Sequence, residues 1–274
     1  MSSAQQRWVE SHPYLGSIAE FHRAVSEVFA KLSPRPVSPP DWKMIFEGYG
    51  HGIPLIASFL VESEWTSAAG ETLLAGSTEL LQYKLEEPVR AAAEELREHL
   101  LVSEENRTTA IDWVQIGDPE DSPLPDAGLL RLLVWEAIRR TLAPVLKSYA
   151  ELRKEDDWMR AYCPVCGALP GMAQIVPEGG PRILACGYCR SSWQFRRIGC
   201  PFCENDDQNQ LTIFTIQEEP LFRLDACRAC NGYLKTYIGD GDLELYLSDW
   251  STLHLDILAT EHELERKGAC LFEI

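Results

Sequence analysis

Along the first 160 positions, apolar residues recur at three- and four-residue steps, the period of helices that bury one face. Leu15, Ile18, Ala19, Phe21, His22, Val25, Val28, Phe29 and Leu32 mark one such face. The run Ser33-Pro34-Arg35-Pro36-Val37-Ser38-Pro39-Pro40 ends that helix, because proline removes an amide donor and restricts the residue before it. Asp41 is placed to cap a helix from Trp42. His51-Gly52-Ile53-Pro54-Leu55 breaks the pattern before an apolar run to Val61. Leu73 to Leu101 predicts one or two amphipathic helices broken at Pro88, and Gly117 to Asp126 predicts a loop. Leu129 to Leu152 is apolar at Leu130, Leu133, Val134, Ile138, Leu142, Val145, Tyr149 and Leu152, with a kink expected at Pro144. Five to seven helices are expected before the charged exit Arg153-Lys154-Glu155-Asp156-Asp157.

Beyond residue 160 the pattern shortens to strand-length runs. Gln174-Ile175-Val176 and Arg182-Ile183-Leu184-Ala185 flank a turn at Glu178-Gly179-Gly180-Pro181. Gln210 to Ile216 and Leu221 to Leu224 flank Glu218-Glu219-Pro220. Gly232 to Ile238 reads as a strand, Asp240-Gly241-Asp242 as a turn, Leu243 to Leu247 as a further strand, and Asp249 to Glu265 as helix. The expected class is therefore α+β: an all-helical domain over 1–160, then a metal-binding domain over 161–274. Within the latter, 161–196 and 197–247 are two consecutive rubredoxin-like or zinc-ribbon modules, and 248–274 is a C-terminal helix and tail.

The ribbon reading rests on four Cys-x-x-Cys pairs: Cys163/Cys166, Cys186/Cys189, Cys200/Cys203 and Cys227/Cys230. Two thiolates at i and i+3 face one ion when the backbone turns tightly between them, and two such knuckles complete a tetrahedral four-sulfur site. Pro164 and Pro201 preset one turn angle, and Gly167 permits the positive φ that closes the first knuckle. Gaps of 19 residues (166 to 186) and 23 residues (203 to 227) each fit a hairpin, whereas the 10 between 189 and 200 fit a connector. Sequential pairing follows, with a cross-braced pairing as the alternative. Disulfides and a thioredoxin-like couple compete with metal. The opening residues Met1 to Glu10 are polar and do not read as a secretory signal, and a redox couple needs a pair at a helix start rather than four in hairpins. The expected cofactor is iron or zinc, two ions per chain; four thiolates suit either.

Charge narrows the partners. The chain carries −17, split as 26 acidic against 16 basic residues over 1–160 and 16 against 9 over 161–274. Phosphate binding needs a basic face, so nucleic acid is disfavoured and protein partners are favoured. No apolar run is long enough to span a bilayer. The six histidines, at 12, 22, 51, 99, 254 and 262, are scattered. His254 and Asp256 do not share a helix face. No phosphate loop, nucleophile elbow or His-Glu-x-x-His motif is present, so no catalytic residue is assigned. Cys270 stands outside the pairs.

Trp158, the run Cys163-Pro164-Val165-Cys166-Gly167-Ala168-Leu169-Pro170, Trp193 after the second knuckle, and Cys200 to Cys203 together resemble the formate dehydrogenase accessory proteins of the FdhE type. So do Cys227-Arg228-Ala229-Cys230-Asn231-Gly232-Tyr233-Leu234-Lys235 and Asp249 to Ala259, with Gly52-Ile53-Pro54-Leu55 as the local match in the helical half. The resemblance implies a cytoplasmic, non-enzymatic maturation chaperone. Its implied partner is the catalytic subunit of a molybdenum or tungsten formate dehydrogenase, and iron is the implied occupant of the eight-cysteine ligand set. The rivals are a rubredoxin-like electron-transfer protein and, more remotely, a nucleic-acid-binding zinc-ribbon protein.

Overall fold

The computed structural model describes residues 2–59, 64–116, 122–154, 157–217 and 219–271. Nine α-helices precede the cysteines among the described residues. They are α1 (Ser3–Ser11), α2 (Gly16–Lys31), α3 (Trp42–Gly50), α4 (Leu55–Phe59), α5 (Glu64–Leu80), α6 (Glu87–Val102), α7 (Glu104–Ile116), α8 (Ala127–Thr141) and α9 (Ala143–Leu152). That exceeds the five to seven expected. The polar opening segment forms α1 because Ser2 and Gln5 close a capping box there. Asp41 caps α3 by accepting the Lys43 amide at 2.9 Å. Pro88 opens α6, where its missing amide costs nothing. Near Pro144 the chain divides into α8 and α9 rather than kinking one helix. Part of the expected 117–126 loop, part of the run to Val61, part of the charged exit and Glu218 lie outside the described residues.

Contacts gather the chain into two compact units. Gly16–Lys43 and Phe59–Leu152 form one, and Met1–Leu15, Met44–Ser58 and Arg153–Ile274 form the other. A single cut at residue 160 does not describe this grouping, because α1 and the α3–α4 segment bond to the cysteine-bearing half. Trp8 donates to the Ser251 carbonyl at 3.0 Å, and the Leu55 amide to the Pro164 carbonyl at 2.9 Å.

In the helical unit, α8 is buried from Leu129 through Ile138, which marks a central rather than an amphipathic helix. α5 packs on it and also against α2, where a Cβ on Gly76 would lie 2.3 Å from the Phe29 ring. The buried Thr141 hydroxyl donates to that of Thr72 at 2.9 Å.

The other unit is built on one sheet of β1 (Met172–Ile175), β2 (Arg182–Ala185), β3 (Ser192–Phe195), β4 (Leu211–Thr215), β5 (Phe222–Cys227), β6 (Gly232–Ile238) and β7 (Glu265–Arg266). Its order is β3-β2-β1-β6-β5-β4, with β7 beside β6. The first ribbon contributes β1 to β3 and the second β4 to β6. A parallel β1–β6 pairing, Met172 opposite Lys235 through Ile175 opposite Ile238, fuses the two modules. Phe222, Leu224, Tyr233, Tyr237 and Met172 form the core with Leu255 and Ala259 of α11 (Leu253–Glu261).

Leu243 to Leu247, expected as a strand, is instead the short helix α10 (Leu243–Tyr246). Asp242 caps it by accepting the Leu245 amide at 3.1 Å, so the turn residue starts a helix. Asp249–Thr252 is a 3-10 turn before α11, and Glu265 is already in β7. No helix among the described residues is long and apolar enough to cross a membrane.

Candidate metal centres

The eight paired cysteines come together in two groups of four, Cys163, Cys166, Cys186 and Cys189, then Cys200, Cys203, Cys227 and Cys230. This is the sequential pairing; the cross-braced one is not adopted. In the first group, Sγ of Cys163 and Cys189 are 3.4 Å apart, as are those of Cys166 and Cys186. In the second, Cys200–Cys230 and Cys203–Cys227 are each 3.7 Å apart. All nine cysteines are free thiols. An ion bound by four thiolates at about 2.3 Å sets its sulfurs about 3.8 Å apart, so both groups fit one tetrahedral ion after small adjustments.

Each knuckle is shaped by its backbone. The Cys163 amide donates to Ala168 O at 2.8 Å and the Gly167 amide to Cys163 O at 2.9 Å. The Val165 amide points at the Cys163 sulfur at 3.4 Å, and the Phe202 amide repeats this at Cys200. The residue after the second cysteine takes positive φ in all four knuckles: Gly167 at 80°, Arg190 at 58°, Glu204 at 58° and Asn231 at 59°. Only Gly167 signalled this in the sequence. Elsewhere the turn imposes the left-handed conformation on side-chain-bearing residues.

Surroundings distinguish the two groups. The first is enclosed: the Pro164 and Val165 carbonyls accept the Leu55 and Ile56 amides at 2.9 and 2.8 Å. The Tyr162 hydroxyl donates to Gly52 O at 2.8 Å. A Cβ on Gly52 would meet the Arg160 guanidinium at 2.5 Å, while Gly167 faces the Pro54 ring. The distant Gly52-Ile53-Pro54-Leu55 match thus lies against the first knuckle. Trp158 is fully buried beside it, donating to Tyr162 O at 2.8 Å, and Trp193 donates to Arg160 O at 3.0 Å. In the second group Cys203 is exposed and Cys230 half-buried.

Burial pushes the Cys163 thiol well above the ordinary thiol range, and bonding to the neighbouring sulfurs, Cys163 first, does the same to Cys166. Four thiolates this close need a compensating cation, which a divalent metal supplies as the thiol protons leave.

Behind the second ribbon lies a buried ionic cluster. Lys235 Nζ reaches Asp249 Oδ1 at 2.6 Å and Asp256 Oδ2 at 2.7 Å. Arg266 bonds both carboxylates, and Tyr233 donates to Asp256 Oδ1 at 2.6 Å. Cys270 donates to Asp249 Oδ2 at 2.9 Å. Lys235, Tyr233, Asp249 and Asp256 all belong to stretches that carry the family resemblance, so these stretches meet in space.

Aligned over 276 residues, the chain is 28% identical to an FdhE homologue from Pseudomonas aeruginosa, covering 94% of this chain and 84% of that protein. The crystal structure of the FdhE protein from Pseudomonas aeruginosa matches with a TM-score of 0.68 at 25% identity, covering 97% of this chain and 92% of the other. Over nearly its whole length the chain is therefore similar to FdhE proteins. An FdhE homologue from Aquifex aeolicus is 32% identical over 127 residues, or 44% of this chain. That match spans under half of the relative's own length, 45%. No protein-family model matches the chain.

The histidines separate. His22 and His99 belong to the helical unit, and the His51 Nδ1 faces the Glu47 carbonyl at 2.8 Å. The His262 ring lies against Phe214, with centroids 4.5 Å apart. His12 and His254, far apart in sequence, both reach Glu219, at 3.0 and 2.8 Å. Nothing in the spacing of those three residues foretells their meeting.

Proposed function

We propose that this FdhE-like chain is a cytoplasmic, non-catalytic accessory factor that binds the catalytic subunit of a molybdenum or tungsten formate dehydrogenase during maturation. In this reading the eight paired cysteines ligate two ions, iron or zinc. The observation that carries it is the pair of closed four-sulfur groups in one sheet, within an FdhE fold. Four protein thiolates fill a tetrahedral ion's coordination, leaving no position for substrate, which suits a scaffold better than a Lewis-acid centre. The acidic surface favours a protein partner over nucleic acid or an anionic membrane surface. The helical unit is assigned the partner-binding surface.

Anaerobic affinity capture with the tagged chain, in cells producing the formate dehydrogenase catalytic subunit, tests this. Recovery of that subunit supports the reading, and its absence with both metal sites loaded refutes it. Electron transfer is the second reading, favoured by one observation: Cys203 reaches solvent, giving the second ion a short path to a redox partner. A reversible iron couple in a potentiometric titration supports electron transfer, and its absence removes it.

A further inference from the structure

Three residues that the accessory role leaves unused converge on one point. His12 follows α1, Glu219 lies in the β4–β5 turn, and His254 is in the first turn of α11. His12 Nε2 is 3.0 Å from Glu219 Oε1, and His254 Nε2 is 2.8 Å from Glu219 Oε2. One ligand atom from each residue lies within 4.8 Å of the others. The imidazoles stack with centroids 5.4 Å apart, and their side chains are only 12% and 19% exposed, with Glu219 at 18%.

From this geometry we propose a third metal site, in which His12, Glu219 and His254 bind one divalent transition ion of the zinc class. Two imidazole nitrogens and a carboxylate form a borderline donor set suited to zinc, cobalt or nickel rather than to calcium or magnesium. His12 is already oriented as a ligand, because its Nδ1 faces the Trp8 carbonyl at 2.9 Å, with the Ser11 hydroxyl at 3.1 Å. Such a carbonyl partner to the second ring nitrogen is the usual support of a ligating histidine. With that Nδ1 proton donated, a neutral His12 turns its Nε2 lone pair toward a carboxylate oxygen. The contact then needs either an extra proton or a cation between the two atoms, and one ion serves both histidines at once. Trp8 stacks on the His12 ring at 4.0 Å and fixes its plane.

Ligands around a tetrahedral zinc lie about 3.3 Å apart, so the two His–Glu contacts, at 3.0 and 2.8 Å, must open by a few tenths of an ångström to admit the ion. The bound ion would clamp the end of α1, the β4–β5 turn and α11. Three protein ligands leave a fourth position open, unlike the two closed sulfur groups.

The test is titration of Co²⁺ into full-length chain whose cysteine sites are already loaded, without oxygen. The expected result is one further equivalent with weak visible bands lacking thiolate charge transfer. His12→Gln and Glu219→Gln should each weaken that equivalent at least tenfold, while two ions remain on the cysteines. His254→Gln is the independent check should either variant lose its cysteine-bound metal. Absence of a third equivalent in the unsubstituted chain overturns the site. So does a third equivalent with thiolate bands, or one that survives these substitutions.

Discussion

Replacing Lys235 by Met tests how the closing helix is held to the second ribbon. The Lys235 side chain is 1% exposed, and its partners Asp249 and Asp256 are 9% and 3% exposed. Met fills the stem's volume but leaves two buried carboxylates short of a cation. Breaking a buried pair on one side costs about 3–5 kcal/mol. Arg266 still bonds both carboxylates, so the low end, about 3 kcal/mol, applies. The chain divides into two units, so a single global transition is a poor readout. Amide exchange in β6 and α11 reads the affected unit directly, and 3 kcal/mol corresponds to a loss of protection of roughly 100-fold. Asp256→Asn removes one of the stranded charges, so the double variant should fall short of the summed single effects. For Asp249, burial alone raises the carboxyl pKa, but Lys235 and Arg266 outweigh it and hold it well below the usual range. A depressed carboxylate contributes stability above its unfolded pKa of about 3.9, and that contribution is lost only as pH falls through the lower folded value. The Asp249 contribution to protection should therefore be constant from about pH 5 to 8. A loss under fivefold for Lys235→Met, or strict additivity with Asp256→Asn, refutes the reasoning.

Replacing Cys163 and Cys166 together by Ser should remove one ion per chain and leave the other, read by metal content. The second ribbon keeps three of its own antiparallel strands and the core around Phe222 and Leu255. Loss of both ions would instead show that the β1–β6 seam couples the sites. The second site should release its ion to a chelator faster than the first, because Cys203 is exposed whereas three of the four first-site cysteines are buried. Stopped-flow release with one site disabled at a time resolves the order, and equal rates contradict it. Gly167→Ala should weaken the first site by about 1 kcal/mol or more, since it forces a side chain into φ of 80° and within 3.3 Å of Pro54. Competitive metal titration measures that change.

Much of this arrangement was legible in the residues. Four pairs at i and i+3 with hairpin-length gaps lead directly to two sequential groups, and the proline run and Pro88 mark real helix limits. What stayed hidden depends on partners distant in the chain. Leu243 to Leu247 has strand composition, but a carboxylate one residue earlier caps it as a helix, and local competition of that kind overrides propensity. The β1–β6 seam has no signal because parallel pairing leaves no turn between its strands. The grouping of α1 with the ribbons depends on Trp8 and His12, whose partners lie more than 200 positions away. The same distance concealed the His12–Glu219–His254 cluster.

The unequal settings of the two sulfur groups give them different capacities. The first is held by amides from α4, an indole-lined wall and a glycine that closes its turn, so exchange of its ion requires disturbing a packed aromatic layer. It suits a permanent fold element. The second presents Cys203 to solvent at the sheet's β4–β5 side, and the Cys227 sulfur receives the Asn205 amide at 3.8 Å. A protein that docks here could exclude water from the second sulfur group without unfolding anything, whereas the first group lies behind Trp158 and Pro54. Any dependence of partner binding on metal or oxidation state should therefore reside in the second group, even though the two share their ligand chemistry.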